Sequence, residues 1–252
     1  MNSLFIGADR TEILSRLTPP YLLIDDGPFI DRLPKRRVFN TTKHSLNILK
    51  DMDYRKARNF LHVLDAAFPE GENTLTRKNS NFLILKALLD NPKSLSNMIV
   101  PDKEPASVDA YQKIHTLLLS PVLSRVLARD TNFNFDDVVL ARLDRSVIGD
   151  FDAFVIAHFL ISHYQHQVVI PDFGFYGRDY LTYLIRQDRL IAGVQTLSQL
   201  SPKLRQEVLL IEDKEGRGCT YDDAVVLTNY KGISPNAREY REQIAELVGG
   251  NA

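Results

Sequence analysis

Short apolar runs rich in β-branched residues alternate with stretches of helical periodicity along most of this chain. The runs are Ser3–Gly7, Tyr21–Asp25, Arg37–Asn40, Val138–Leu143, Gln167–Pro171, Leu190–Val194 and Val208–Ile211, each bounded by turn formers. A strand that is apolar on both sides of its pleat needs cover on both faces, which is the situation of a parallel sheet. Between these runs, Asp53–Phe68 carries Tyr54, Ala57, Phe60, Leu61, Leu64 and Phe68 near a helical period. Thr76–Leu89, Val108–Leu118, Asp150–Tyr164 and Tyr176–Arg186 read as further helices. Strands alternating with helices build βαβ units. The predicted class is therefore α/β, a mostly parallel sheet with helices on both faces.

One region breaks the alternation. From about Asp53 to Leu127 there are only helical patterns and turns marked by Pro69, Pro92, Pro101, Pro105 and Pro121. A helical insertion thus interrupts the sheet after its third strand. The expected organisation is first βαβ units over residues 1–50, insertion over 51–130, and the rest of the core with a C-terminal helix over 131–252. With 252 residues and 44% hydrophobic content, the chain can bury a core of that size. Val100–Ser107, VPDKEPAS, is expected as an exposed loop. From Pro235, PNAREYREQIAELV reads as an amphipathic charged helix, and the final GGNA should fray.

The formal net charge of −1 gives no global attraction to nucleic acid or an anionic membrane. Contact with DNA would have to come from a local patch or from oligomerisation. Cys219 is the single cysteine, which excludes an intrachain disulfide and a cysteine metal cluster. No apolar run approaches the roughly 18 residues of a membrane span. MNSLFIGADR lacks the basic and apolar regions of a secretion signal. The expectation is a cytoplasmic chain without membrane insertion.

Strand SLFIG is followed by ADRTEILSRL and strand YLLID, the order in which an α/β NTPase places its phosphate loop. Such a loop is normally G-x-x-x-x-G-K-[ST], with glycines opening backbone N–H groups to phosphate and lysine balancing its charge. Gly7 and the pair Arg10-Thr11 match it in part; the second glycine and the lysine are missing and the loop is shorter. A plain βα connection is the other reading. QVVIPDFGFYGRD places Asp172 after an apolar strand, at the C-terminal edge where α/β proteins bind ligands. An NTPase keeps its Mg²⁺-ordering aspartate there, usually followed by a glutamate that activates water. Phe173 stands in that following position. Alternatively, Asp172 caps the turn at Gly174.

Several segments, in order, resemble the C-terminal two-thirds of the HerA/FtsK/TraG-type DNA-pumping ATPases, which include conjugative coupling proteins. DDVVLARLDRSVIGDFDAFVIAHFLISHY is similar to their strand that turns at a glycine, here Gly149, into a long apolar helix. QVVIPDFGFYGRD resembles the Walker B strand, with Asp172 kept and the glutamate missing. RLIAGVQTLSQL resembles the strand ending in the sensor glutamine, here Gln195, with Gln199-Leu200 following. RGCTYDDAVVLTNY resembles a late turn and helix with an Asp-Ala pair, here Asp223-Ala224, and YLLIDDGPFID can be laid on the second strand and its acidic end at Asp25. The resemblance implies a RecA-like P-loop NTPase core, with Gly7, Arg10, Thr11, Asp172 and Gln195 at the nucleotide and Asp172 on Mg²⁺. Members hydrolyse ATP as ring hexamers to move DNA, so a homo-oligomer or larger assembly is implied.

Other clusters are open to simpler readings. His158, His163 and His166 fall in HFLISHYQH, where His163 and His166 could share a helical face and hold a metal; packing histidines are the alternative. Lys35, Arg36, Arg37 and Lys43 form the densest basic cluster, a nucleic-acid contact or a solvated loop. Phe173, Phe175, Tyr176 and Tyr180 could stack on a base or pack beneath the next helix. Asp136-Asp137, Glu212-Asp213 and Asp222-Asp223 suit helix or strand ends, and no G-x-S-x-G elbow is present. Three functions are compatible with this sequence. The first is a catalytically degenerate ATPase-like binding or structural subunit of a viral or mobile-element DNA-handling assembly. The others are an active translocation or packaging ATPase with an atypical phosphate loop, using ATP and Mg²⁺, and a nucleotide-independent scaffold. Without the lysine and the acid, the first is expected.

Overall fold

Leu22, Leu23, Val168, Val169 and Ala192 have no exposed surface, as strands apolar on both sides of the pleat require. The computed structural model describes residues 3–6, 13, 17, 20–25, 37–69, 74–127, 130–135, 139–194 and 197–204. Its strands are β1 (Ser3–Ile6), β2 (Tyr21–Asp25), β3 (Arg37–Asn40), β4 (Val139–Arg142), β5 (Gln167–Ile170) and β6 (Leu190–Val194). Their order in the sheet is β1-β6-β5-β2-β4-β3. The helices are α1 (Tyr54–Ala67), α2 (Thr74–Leu89), α3 (Pro105–Leu119), α4 (Pro121–Leu127), α5 (Arg145–Ile148), α6 (Asp150–His163), α7 (Phe173–Tyr176) and α8 (Thr182–Arg186). Short 3₁₀ turns lie at Leu95–Asn97, Asp179–Leu181 and Leu197–Gln199. The expected strand at Val208–Ile211 and the C-terminal helix lie outside the described residues.

Among the described residues, 3–25, 139 and 166–204 form one compact unit, and 37–135 with 140–165 a second. In the first unit β1 pairs with β6, β6 with β5 and β5 with β2, all parallel. Ile6 is level with Val194, Ile170 with Ala192 and Leu23 with Val169. Gly193 allows one close approach: a Cβ there would come within 2.6 Å of both the Pro171 carbonyl oxygen and Ile13 Cδ1.

The helix expected over Tyr176–Arg186 is instead three short pieces, α7, the 3₁₀ turn Asp179–Leu181 and α8. The break is chemical. The Gly177 N–H returns to the Phe173 carbonyl at 2.6 Å, and a Cβ on Gly177 would lie 2.5 Å from that oxygen. The next residue, Arg178, is extended, and its guanidinium donates to the carbonyls of Phe175 (3.0 Å) and Gly177 (2.7 Å). Side-chain donors thereby satisfy carbonyls that a continuing helix would have used. The exposed loop expected over Val100–Ser107 is shorter than predicted: α3 begins at Pro105 and Ser107 is buried. Proline is suited to a first helical position, where its missing N–H costs nothing.

In the second unit α6 is buried from Asp152 through Ile161. A helix apolar on every side is a core helix. Phe159 meets Phe60 of α1 at 5.1 Å between ring centroids, and Phe151 meets Phe68 at 5.5 Å. α1 and α2 are tied by Asp65, which accepts from Arg77 Nε (3.0 Å) and Asn81 Nδ2 (2.9 Å). Gly149 ends α5 and starts α6 at φ 84°, ψ 155°. A Cβ there would meet nothing within 4 Å, so the backbone alone demands glycine. Asp152, in the first turn of α6, accepts from the Ser120 hydroxyl. Ser120 Oγ in turn accepts from the Leu123 N–H at 3.1 Å, at the start of α4. Burial pushes the Asp152 carboxyl above the usual carboxylate range, and the Ser120 bond opposes that rise.

Gly149→Ala is expected to cost about 1–3 kcal/mol in urea unfolding, the usual strain of this backbone region in other residues. For Asp152 the folded state binds its proton more tightly than the unfolded state. Its contribution is therefore best at low pH and is lost as pH rises from the ordinary carboxylate pKa through the raised one. Asp152→Asn, which keeps an acceptor for Ser120, should gain on the parent as pH rises from acid to neutral. Denaturation midpoints across that range measure this directly.

Candidate functional site

Parallel strands end at a common edge, and in α/β sheets that C-terminal edge is where ligands bind. The registers carry β1, β2, β5 and β6 to one such edge. Asp25 is the last residue of β2 and is buried. Asp172 lies two residues beyond the end of β5. Gly7 follows β1 and Gln195 follows β6 in the sequence; both, with Arg10 and Thr11, lie outside the described residues.

Asp172 is the N-cap of α7. Its Oδ1 accepts from the Phe175 N–H at 3.3 Å, and its carbonyl accepts from Phe175 and Tyr176 N–H groups, each at 3.2 Å. The cap expected at Gly174 thus falls one residue later.

The side chain of Phe173 is 0% exposed and that of Tyr176 1%. Phe175 packs edge-on against Tyr176, with ring centroids 4.7 Å apart. Burial raises the Tyr180 hydroxyl well above the ordinary tyrosine range. Phe173 and Tyr176 therefore belong to the core, not to a base-stacking platform. At the position after Asp172 the chain turns its side chain inward.

Gln199 is a feature that sequence reasoning left without a role. A Cβ on Gly174 would lie 2.8–2.9 Å from the Gln199 side-chain amide, so that amide lies against the Gly174 backbone. The glycine two residues after Asp172 was the only local signal. Nearby, the Ser201 hydroxyl donates to Asp179, and Ser201 Oγ accepts from the Leu204 N–H at 3.2 Å.

Arg37, Lys43, His158 and His163 belong to the second unit. Lys35 and Arg36 lie outside the described residues, Arg37 opens β3, and Lys43 is exposed with its N–H on the Asn40 carbonyl at 3.1 Å. His163 and His166 do not share a helical face: α6 ends at His163 and Tyr164 is extended. His163 Nδ1 bonds the Phe159 carbonyl at 2.8 Å, so that nitrogen is the donor. Burial lowers the His163 pKa. His158 is fully buried, its ring 4.1 Å from that of Phe154. Among the described residues no group of three or more His, Cys, Asp or Glu is placed to hold a metal.

No family model matches the sequence, and no curated protein does. Among solved structures, the bacterial conjugative coupling protein TrwBdeltaN70, in an unbound form, matches over 82% of this chain with a TM-score of 0.51 and 11% identity. The likeness is one of fold: like that coupling protein, this chain is mixed α/β with a parallel sheet. This chain spans 65% of the length of that coupling protein. Among the described residues no helix is long and apolar enough to cross a membrane.

Asp172 and Phe173 should separate in stability measurements. Removing the cap with Asp172→Ala is expected to cost about 1 kcal/mol. Phe173→Ala empties a fully buried aromatic position and is expected to cost about 3–5 kcal/mol. Chemical denaturation of the two variants would show the larger loss at Phe173.

Proposed function

We propose that this chain is a catalytically degenerate P-loop ATPase-like protein with a binding or structural role in a viral or mobile-element DNA-handling assembly. The observation that carries this reading is the burial of Phe173 at the position after Asp172. Phosphoryl transfer depends on fixed charges and on a residue that orients the attacking group. A core phenylalanine supplies neither. The Gly7–Thr11 segment adds to this, since it has no lysine to offset phosphate charge.

Binding is a different matter from turnover. Asp172 at the C-terminal edge suits an Mg²⁺ ligand, and Arg10, Thr11 and Gln195 are the residues we assign to ATP if it binds. Magnesium would screen phosphate charge there. Lys35, Arg36, Arg37 and Lys43 are assigned to DNA backbone contact. The likeness in fold to a conjugative coupling protein supports a DNA-handling setting. A homo-oligomer or larger assembly is the partner we assign, and the cytoplasm the location.

Calorimetric titration with ATP–Mg²⁺, paired with a phosphate-release assay, tests the reading. Heat of binding without turnover is the expected outcome. Turnover that Asp172→Ala abolishes would overturn it in favour of an active ATPase with an unusual phosphate loop. No heat at saturating nucleotide would leave a nucleotide-independent scaffold.

A further inference from the structure

The outer face of α2 carries large apolar side chains at seven-residue intervals. Leu75 is 63% exposed, Phe82 65% and Leu89 39%. At about 100° per residue they fall in one row, and at about 1.5 Å per residue that row is about 21 Å long. Buried Ser80, Ile84 and Leu88 lie on the opposite side of the helix. Arg77 and Asn81 are held by Asp65 of α1, which fixes the rotation of α2 about its axis. The exposed row is therefore a stable feature of the fold.

Its borders are charged with one sign. Lys78 and Lys86 are exposed and lie about 40° to either side of the row's centre. The α2 sequence TLTRKNSNFLILKALL contains no aspartate or glutamate. An apolar seam with a seven-residue repeat is matched by a second helix with the same repeat, and the flanking charges select which helix.

We propose that this face of α2 docks an amphipathic helix of another protein, apolar at seven-residue spacing and acidic on both flanks. A second copy of α2 is the wrong complement. Paired antiparallel about Phe82, Lys78 would meet Lys86 of the other copy; paired parallel, each lysine would meet itself. A lipid surface is also a poorer fit. Helices that lie in a membrane interface use a broad apolar face. Here the exposed apolar strip is narrow, and the opposite side of α2 is already buried. The proposal does not depend on nucleotide binding.

The test uses the full chain and a labelled synthetic peptide of three heptads, with leucine at a and d and glutamate at e and g. Fluorescence anisotropy should show saturable binding, at least about tenfold weaker for the same peptide with lysine at e and g, a difference of about 1.4 kcal/mol. Phe82→Asp, at an exposed position, should weaken binding of the acidic peptide at least about tenfold while leaving the thermal unfolding midpoint unchanged. The double variant Lys78→Glu/Lys86→Glu should reverse the preference toward the lysine peptide. Absence of saturable binding, or equal binding of both peptides, would overturn the proposal. So would adsorption to phosphatidylglycerol–phosphatidylcholine vesicles that Phe82→Asp abolishes, or a dimer in sedimentation that the same variant dissociates.

Discussion

The rest of the first unit depends on β5 being hydrogen-bonded along both of its edges, to β2 and to β6, while Val168, Val169 and Ile170 are fully buried. A strand enclosed in this way has no freedom to tilt or slide without breaking two ladders and exposing apolar surface. Its end is consequently fixed, and with it the turn that begins at Pro171. Asp172, the α7 cap and the inward placement of Phe173 all follow from where that strand stops. The parallel sense of the neighbours then brings the ends of β1, β2 and β6 to the same edge.

That frame and the chemistry expected on it are separable. Binding a phosphate or a metal needs a few donors and acceptors at the strand ends, whereas the frame needs only continuous apolar strands. A fold of this kind therefore carries no activity by itself, since function resides in the site and not in the fold. Phe173, next to Asp172 at this edge, contributes its side chain to the core, so its place there serves stability. The second unit is organised differently, around α6 as a core helix, with Asp65 and Asp152 linking neighbouring helices through polar bonds.

The described strands were legible from sequence to within a residue or so at each end, because a buried parallel strand is a continuous apolar run and turn formers punctuate it. α1, α2 and α6 were legible for a similar reason. The continuous helix expected through Tyr176–Arg186 was not found, since Arg178 ends it by reaching back to the Phe175 and Gly177 carbonyls, a contact that periodicity does not encode. At the candidate site, the order of motifs located Asp172 and Phe173. Whether Phe173 faced solvent or core was not readable, because the direction of a side chain after a strand end depends on the turn. The Gln199 amide over Gly174 was equally hidden, since residues 25 apart in the chain meet only after β6 has paired. In α2 every position from Phe82 to Leu89 except Lys86 is apolar, so over that stretch sequence alone does not distinguish its inner row from its outer one.

Gly193 has a consequence for the alignment of the sheet itself. Strands that are apolar on both faces carry little information about which residue should sit beside which, since sliding one past another still buries apolar groups. The missing side chain at Gly193 removes that degeneracy. Only there can the Pro171 carbonyl and Ile13 approach the β6 backbone so closely. Displacement by one residue in either direction would bring the side chain of Ala192 or Val194 into that space. A single hydrogen atom in place of a methyl group thus acts as a keyway, admitting one alignment of otherwise interchangeable strands.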